Sequence, residues 1–115
     1  MAMEPDTLAK ISAQLRPVFA RHAVRRAIVF GSLARGDQSR HSDLDIIVIQ
    51  DTDKPFLDRY DALLAELAQA APGRDVDLLV YTPGELAQMR DRPLTATALR
   101  EGKIIYESEQ EPLPG

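Results

Sequence analysis

Residues 31–48 of the chain read GSLARGDQSRHSDLDIIV. This stretch follows a short apolar run at 27–30, and its end lies inside a β-branched run at 44–49. Such runs are typical of buried strands. The polar residues between them are typical of a loop that contains one short helical turn. The Gly-Ser pair therefore lies where one strand ends, and the Asp-Leu-Asp triplet lies where the next strand begins.

The rest of the chain alternates helical patterns with short strands. A first helix is predicted over 6–20, with Asp6 as its cap and Pro17 as a kink or an early end. A second helix is predicted from Pro55 to Pro72-Gly73, with an apolar face that includes Leu57. Two shorter helices are predicted, one after the capping-box residue Thr82 and one from about Leu94 to Gly102. Strands are predicted at 76–81 and, as an edge strand, at 103–106. This layout predicts an α+β fold, a sheet covered by helices that lie mostly on one face.

Length and composition narrow the class of protein. A chain of 115 residues with 44% hydrophobic and 28% charged residues is expected to form one globular domain. Zero cysteines exclude a disulfide scaffold and a thiolate site. No apolar run approaches the ~20 residues of a membrane span, and the N-terminus lacks a secretory layout, so we expect a cytoplasmic protein. The domain is predicted over 1–106, with a disordered acidic tail over 107–115.

Charge is distributed unevenly along the chain. Residues 16–40 contain six arginines and one aspartate (net +5), whereas residues 41–115 contain 15 acids and seven bases (net −8). One interpretation is a basic segment that faces phosphate groups. The other is a solvated helix face followed by an acidic tail, and charge alone favours this second interpretation.

The Gly31-Ser32 pair is the first candidate binding feature. Glycine lets the backbone approach a ligand closely and tolerates a positive φ. The unpaired amides that open a helix, together with the serine hydroxyl, suit phosphate oxygens. Taken alone, however, a Gly-Ser pair is typical of an ordinary turn.

Three acids form the second candidate feature. Asp43 and Asp45 lie at positions i and i+2 of a strand, so both carboxylates point to one face and repel unless a cation neutralises them. Asp77 lies between apolar residues of the third strand and is expected to be deeper than Asp75. A carboxylate inside an apolar strand costs free energy unless it has a partner or a metal. Carboxylates converging from adjacent strands suit a two-metal Mg²⁺ site. The alternative is a solvated strand end.

The spacing of these residues resembles a known signature. Gly31-Ser32, ten further residues and then Asp43-Leu44-Asp45 is similar to the nucleotidyltransferase signature of the DNA polymerase β superfamily. The whole stretch over 31–48 looks like the minimal nucleotidyltransferase branch, which includes the antitoxins of HEPN/MNT toxin–antitoxin pairs. The resemblance implies a polymerase-β-like two-layer sandwich with a short mixed sheet.

The resemblance also implies roles for individual residues. Gly31 and Ser32 would hold the β- and γ-phosphates of a nucleoside triphosphate such as ATP. Asp43, Asp45 and Asp77 would ligate two Mg²⁺ ions, with Asp77 helping to deprotonate the attacking hydroxyl.

Arginines near the same loop are candidates for binding the triphosphate. Arg35 or Arg40 would stabilise its charge through charge-assisted hydrogen bonds. For Arg35 the alternative is a structural clamp on the loop, and the sequence leaves both interpretations open.

The implied activity is Mg²⁺-dependent transfer of AMP from ATP to a hydroxyl of a partner protein, a HEPN-family toxin. Direct binding of nucleic acid is not expected, because the C-terminal part is acidic and aromatic residues make up only 5% of the chain. Two alternatives are an antitoxin that acts by binding alone and a small-molecule transferase of the aminoglycoside-modifying type.

Overall fold

The computed structural model describes residues 7–35 and 43–108. These residues form the helices α1 (Thr7–Arg21), α2 (Gly31–Ala34), α3 (Phe56–Ala70), α4 (Pro83–Met89) and α5 (Pro93–Glu101), and the strands β1 (Val24–Phe30), β2 (Leu44–Gln50), β3 (Val76–Tyr81) and β4 (Lys103–Glu107). None of the helices in these ranges has the length and apolar character needed to cross a bilayer.

The four strands form one mixed sheet in the order β3-β2-β1-β4. β1 runs antiparallel to β2 and β4, whereas β2 and β3 are parallel. Parallel neighbours need a crossover connection, which α3 supplies. This topology brings the end of β1 and the starts of β2 and β3 to the same end of the sheet.

The two long helices, α1 and α3, cover one face of the sheet, which we call the α1–α3 face. Ile11, Leu15 and Val18 recur at helical spacing on α1 and are buried, and Leu63 and Leu67 are buried on α3. Full burial of each such side chain contributes about 1.5–3 kcal/mol to stability. The predicted apolar stripes are therefore what attaches these helices to the sheet.

The two short helices, α4 and α5, cover the opposite face, which we call the α4–α5 face. Ile28, Ile47 and Ile49 of the strands pack there against Leu86 of α4 and Ala98 of α5. Helices are needed on both faces because successive residues of β2 are apolar and buried on either side. The predicted α+β class with a short mixed sheet is confirmed, with long helices on one face and short helices on the other.

The start of α4 has the predicted capping box. The Thr82 hydroxyl accepts a hydrogen bond from the Glu85 backbone N–H at 3.2 Å, and the Glu85 carboxylate accepts one from the Thr82 N–H at 3.0 Å. Arg59 of α3 is buried and donates to the same Glu85 carboxylate at 2.6 Å. The cap of α4 is thus connected to the first turn of α3.

Some local predictions are wrong. The helix does not end early at Pro17 but continues to Arg21, because burial of Val18 and Phe19 offsets the cost of a proline inside a helix. Leu57, predicted on the apolar face of α3, is 70% exposed. The predicted Asp6 cap lies outside the described residues.

Ion pairs neutralise half of the arginines of the basic segment. Three of its six arginines bind acids from later in the chain: Arg21 binds Glu66 (2.5 Å), Arg25 binds Asp51 (2.8 Å) and Arg26 binds Glu107 (2.5 Å). The last pair lies at the end of β4, one residue beyond the predicted domain boundary at 106. These arginines do not form a free phosphate-binding surface, and ion pairs this exposed contribute only about 0–1 kcal/mol each.

β4 is an edge strand of the sheet, as predicted. The Ser12 hydroxyl of α1 donates a hydrogen bond to the Ile105 carbonyl at 2.7 Å. The register between β1 and β4 also shifts between Ala27 and Ile28. An irregular, partly occupied edge pairs less readily with a further strand.

Candidate active site

Three side chains form a row across the α4–α5 face, at the end of the sheet where β1 stops. In the strand register, Phe30 is opposite Asp45, and Asp45 is opposite Asp77. Side chains alternate between the faces of a sheet, and the neighbours of both acids pack on the α1–α3 face, so both carboxylates lie on the α4–α5 face. The convergence expected from the sequence is therefore present for Asp45 and Asp77.

Gly31 follows this row directly and has φ +74°, a conformation that L side chains rarely adopt. A Cβ atom built on Gly31 would overlap Oδ2 of Asp45. The turn that begins at Gly31 closes with a hydrogen bond from the Arg35 N–H to the Gly31 carbonyl at 3.2 Å. The expected positive φ is confirmed, and glycine is required because the backbone lies against the carboxylate.

Asp45 has a strongly perturbed acidity. Its burial, a hydrogen bond to Asp77, and the charges of Asp77 and Asp43 raise its pKa from 3.8 to about 6, while the charge of Arg35 acts in the opposite direction. Burial is the largest of these causes, and the neighbouring carboxylates add to it. In this arrangement a proton, or a cation, is needed to hold the two carboxylates together.

The deep acid is Asp45 rather than Asp77. The sequence predicts that Asp77 is deeper than Asp75, but both side chains are exposed, whereas Asp45 is half-buried. The reason is strand order, because β3 is at the edge of the sheet and β2 is inside it. Alternation along a single strand does not reveal which strand is at the edge.

The Asp45 and Asp77 carboxylates fit a hard cation. Asp43 directly precedes β2 and is exposed, and it acts on Asp45 through its charge. Across residues 7–35 and 43–108, no three Asp, Glu, His or Cys side chains meet closely enough to hold one ion. Two carboxylates completed by phosphate oxygens are nevertheless a donor set typical of Mg²⁺, so the Asp45–Asp77 pair fits this metal.

The predicted nucleotide-binding residues are placed only in part. Ser32 lies in α2, immediately after Gly31. Arg35 is exposed at the end of this turn, near enough for its charge to act on Asp45. Arg40 lies outside the described residues.

One neighbour of the acids was not anticipated from the sequence. Phe30 lies directly across from Asp45 and packs, partly buried, with the apolar cluster of the α4–α5 face. The available signal was its position immediately before Gly31, at the end of an apolar run.

Residues 13–111 match the family described as "Polymerase beta, Nucleotidyltransferase". The chain belongs to this nucleotidyltransferase family. The match includes the row of acids, the Gly31 turn and every strand of the sheet. The resemblance inferred from the 31–48 stretch is thereby confirmed.

Several known proteins are similar to this nucleotidyltransferase. Two from Methanocaldococcus jannaschii, named "Putative protein adenylyltransferase" MJ0435 and MJ0604, are 39% identical over 72 residues (63% of this chain, 75% of the relative) and 46% identical over 87 residues (75% and 82%). A solved structure described as a "putative minimal nucleotidyltransferase" is 30% identical, with a TM-score of 0.60 over 89% of this chain and 98% of that chain.

A chain in the crystal structure of a toxin–antitoxin with AMP-PNP has a TM-score of 0.61 at 23% identity. The aligned region covers 86% of this chain and 75% of that chain, and the two chains share the same fold.

Proposed function

We propose that this nucleotidyltransferase transfers AMP from ATP to a hydroxyl group of a partner protein, and that the partner is a toxin of the HEPN family which the transfer neutralises. The observation that carries the proposal is the contact between the Gly31 turn and the Asp45–Asp77 pair. A backbone turn suited to phosphates lies against carboxylates suited to a cation, which is the arrangement that phosphoryl transfer requires.

Asp43, Asp45 and Asp77 are the residues that would hold Mg²⁺, with two ions in the site. When bound, Mg²⁺ polarises the α-phosphate and neutralises the pyrophosphate leaving group. The protein itself contributes a rigid strand at Asp45 and an exposed carboxylate at Asp77. Asp45 is thus the fixed carboxylate, and Asp77 is the carboxylate that faces the incoming substrate.

The triphosphate is proposed to bind at Gly31 and Ser32, where the absence of a side chain on Gly31 lets the Asp45 carboxylate lie against the turn. Arg35, exposed at the end of the turn, is proposed to pair with triphosphate oxygens, and Arg40 is a second candidate. The influence of Arg35 on Asp45 supports this role over a purely structural clamp, because a cation near the metal-binding acids is also near the phosphates.

In the reaction, the acceptor oxygen forms a bond to the α-phosphorus, and the bond from that phosphorus to the bridging oxygen of pyrophosphate breaks. The hydroxyl proton is accepted by Asp77, the exposed member of the pair. Pyrophosphate leaves, and AMP remains on the partner as a phosphodiester. We propose the cytoplasm, where ATP is available, as the compartment.

Three observations support a protein acceptor. The relatives from Methanocaldococcus jannaschii bear the name of protein adenylyltransferases. The 31–48 stretch resembles the branch that contains the antitoxins of HEPN/MNT pairs. Chains of this fold also occur in toxin–antitoxin structures, which suggests the class of acceptor to test first.

The experiment incubates the protein with ATP, Mg²⁺ and a co-expressed HEPN toxin, and follows the intact mass of the toxin. We expect a mass increase of one or more AMP units with the wild-type protein and with Asp61→Asn, a matched change at an exposed aspartate of α3. Asp45→Asn is expected to abolish the increase. Unchanged transfer by Asp45→Asn would overturn the proposal, and neutralisation without transfer would instead indicate an antitoxin that acts by binding.

A further inference from the structure

α5 connects the proposed nucleotide-binding turn to the sheet. It contacts β1 and also α2, the turn that begins at Gly31. Its buried residue Ala98 packs in the same cluster as Ile28 of β1. The position of α2 therefore depends on how closely α5 approaches β1.

Gly102 ends α5 at the closest approach to β1. Its backbone N–H donates a hydrogen bond to the Ala98 carbonyl at 2.8 Å, and its φ of −74° is open to any residue. A Cβ atom on Gly102 would overlap the Ala98 carbonyl oxygen and Ile28 Cγ2, and would lie 3.1 Å from the Val29 carbonyl oxygen. Glycine is required here for space, and two of the three obstructing atoms belong to the backbone.

We propose that α5 holds the Gly31–Ala34 turn in the conformation that binds nucleotide, and that Gly102 is the positioning residue that lets α5 pack closely enough to do so. Val29, against which Gly102 packs, lies two residues before Gly31. A larger residue at 102 must displace either the end of α5 or the end of β1; α5 contacts the turn, and β1 leads directly into it. This inference rests on the proposed function, because it takes Gly31 and Ser32 as the phosphate-binding residues.

The test compares Gly102→Ala with Gly84→Ala, a change in α4 at which a Cβ atom has no neighbour within 4 Å. For folded protein, we expect Gly102→Ala to weaken ATP binding in the presence of Mg²⁺ by about tenfold, and to raise KM for ATP more than it lowers kcat. Binding of Mn²⁺ alone to Asp45 and Asp77 is expected to change less than about twofold, because the three atoms nearest a Cβ on Gly102 belong to α5 and β1, whereas the two acids lie on β2 and β3. Wild-type ATP affinity in folded Gly102→Ala would overturn the proposal.

A second pair of variants tests the positioning role of α5 if Gly102→Ala does not fold. Leu99 of α5 and Met89 of α4 are both partly buried against the same apolar cluster. Leu99→Ala loosens the helix that contacts α2, whereas Met89→Ala loosens a helix that packs on β2 and β3. We expect Leu99→Ala to weaken ATP binding about threefold more than Met89→Ala. Equal effects of the two variants would overturn the proposal.

The two proposals fail in different ways. If the wild-type protein does not bind ATP, or binds it equally well after Asp45→Asn, the proposed function fails. If ATP binding depends on Asp45 but not on α5, only the positioning role of Gly102 fails.

Discussion

Removing the charge of Asp45 is expected to stabilise the metal-free protein while abolishing its activity. Folding raises the pKa of Asp45 from 3.8 to about 6, chiefly through burial and the contact with Asp77. At pH 8 the carboxylate is charged in both states, and the folded state bears the full cost of that charge. One pKa unit corresponds to about 1.4 kcal/mol, so this cost is at most about 3 kcal/mol.

The expected gain is smaller because the side chain is half-buried, so solvent screens part of the repulsion. We expect Asp45→Asn to raise the free energy of unfolding by about 1–2 kcal/mol at pH 8, and Tm by about 3–10 °C for a domain of this size. The gain should shrink as pH falls from 6 to 4 and vanish below about 3.8, where Asp45 is protonated in both states.

Urea unfolding without divalent ions, at pH 8 and pH 4, measures this difference, with Asp61→Asn as the exposed control. The control is expected to stay within about 0.5 kcal/mol of wild type at both pH values. Added Mg²⁺ should stabilise the wild-type protein more than Asp45→Asn. A loss of stability in Asp45→Asn at pH 8, or a gain that does not depend on pH, would refute the electrostatic reasoning.

Four further predictions concern backbone conformation and a buried cation. Gly31→Ala is expected to reduce transfer about 100-fold, measured by release of pyrophosphate, because its Cβ would overlap the Asp45 carboxylate; near-normal release would contradict this. Ala23, at φ +55°, adopts a conformation that glycine adopts freely, so Ala23→Gly should be neutral or stabilise by up to about 1 kcal/mol in urea unfolding. Gly73→Ala, at φ +86° in open space, should lower the free energy of unfolding by about 1 kcal/mol in the same assay; a loss of stability in Ala23→Gly, or a gain in Gly73→Ala, would show the reasoning to be wrong. Arg59→Leu should lower the free energy of unfolding by about 2 kcal/mol. This loss is smaller than for a fully buried ion pair, because the Glu85 carboxylate that Arg59 binds is 41% exposed; a change below about 0.5 kcal/mol would argue against the pair.

Local patterns were sufficient to predict most of the fold. β3 has the predicted bounds, and the capping box at Thr82 forms both of its hydrogen bonds, because each depends on residues close together in the chain. The end of α1 and the start of β1 depend on distant partners. Val18 and Phe19 carry the helix past Pro17 through tertiary burial, and Arg26 extends β1 through a pair with a residue of β4.

The candidate site shows the same limit. Alternation along each strand predicted that Asp45 and Asp77 would converge if β2 and β3 were adjacent, and the parallel pairing of these strands places the two acids directly opposite each other. Which acid is buried depends on strand order, and that order could not be read from either strand alone. Gly102 was recognisable in the sequence only as the end of a helix, because its φ is ordinary and two of the three atoms that a Cβ would meet belong to Ile28 and Val29, more than seventy residues earlier.

The hydrogen bond from Ser12 to the Ile105 carbonyl constrains how another protein can approach the molecule. Many partners bind by adding a strand to an exposed sheet edge through main-chain hydrogen bonds. The Ile105 carbonyl of β4 is already engaged by α1, and the register between β4 and β1 is irregular. An incoming polypeptide therefore gains fewer main-chain hydrogen bonds by strand addition at β4, whereas Asp77 lies exposed on β3, at the opposite edge of the sheet.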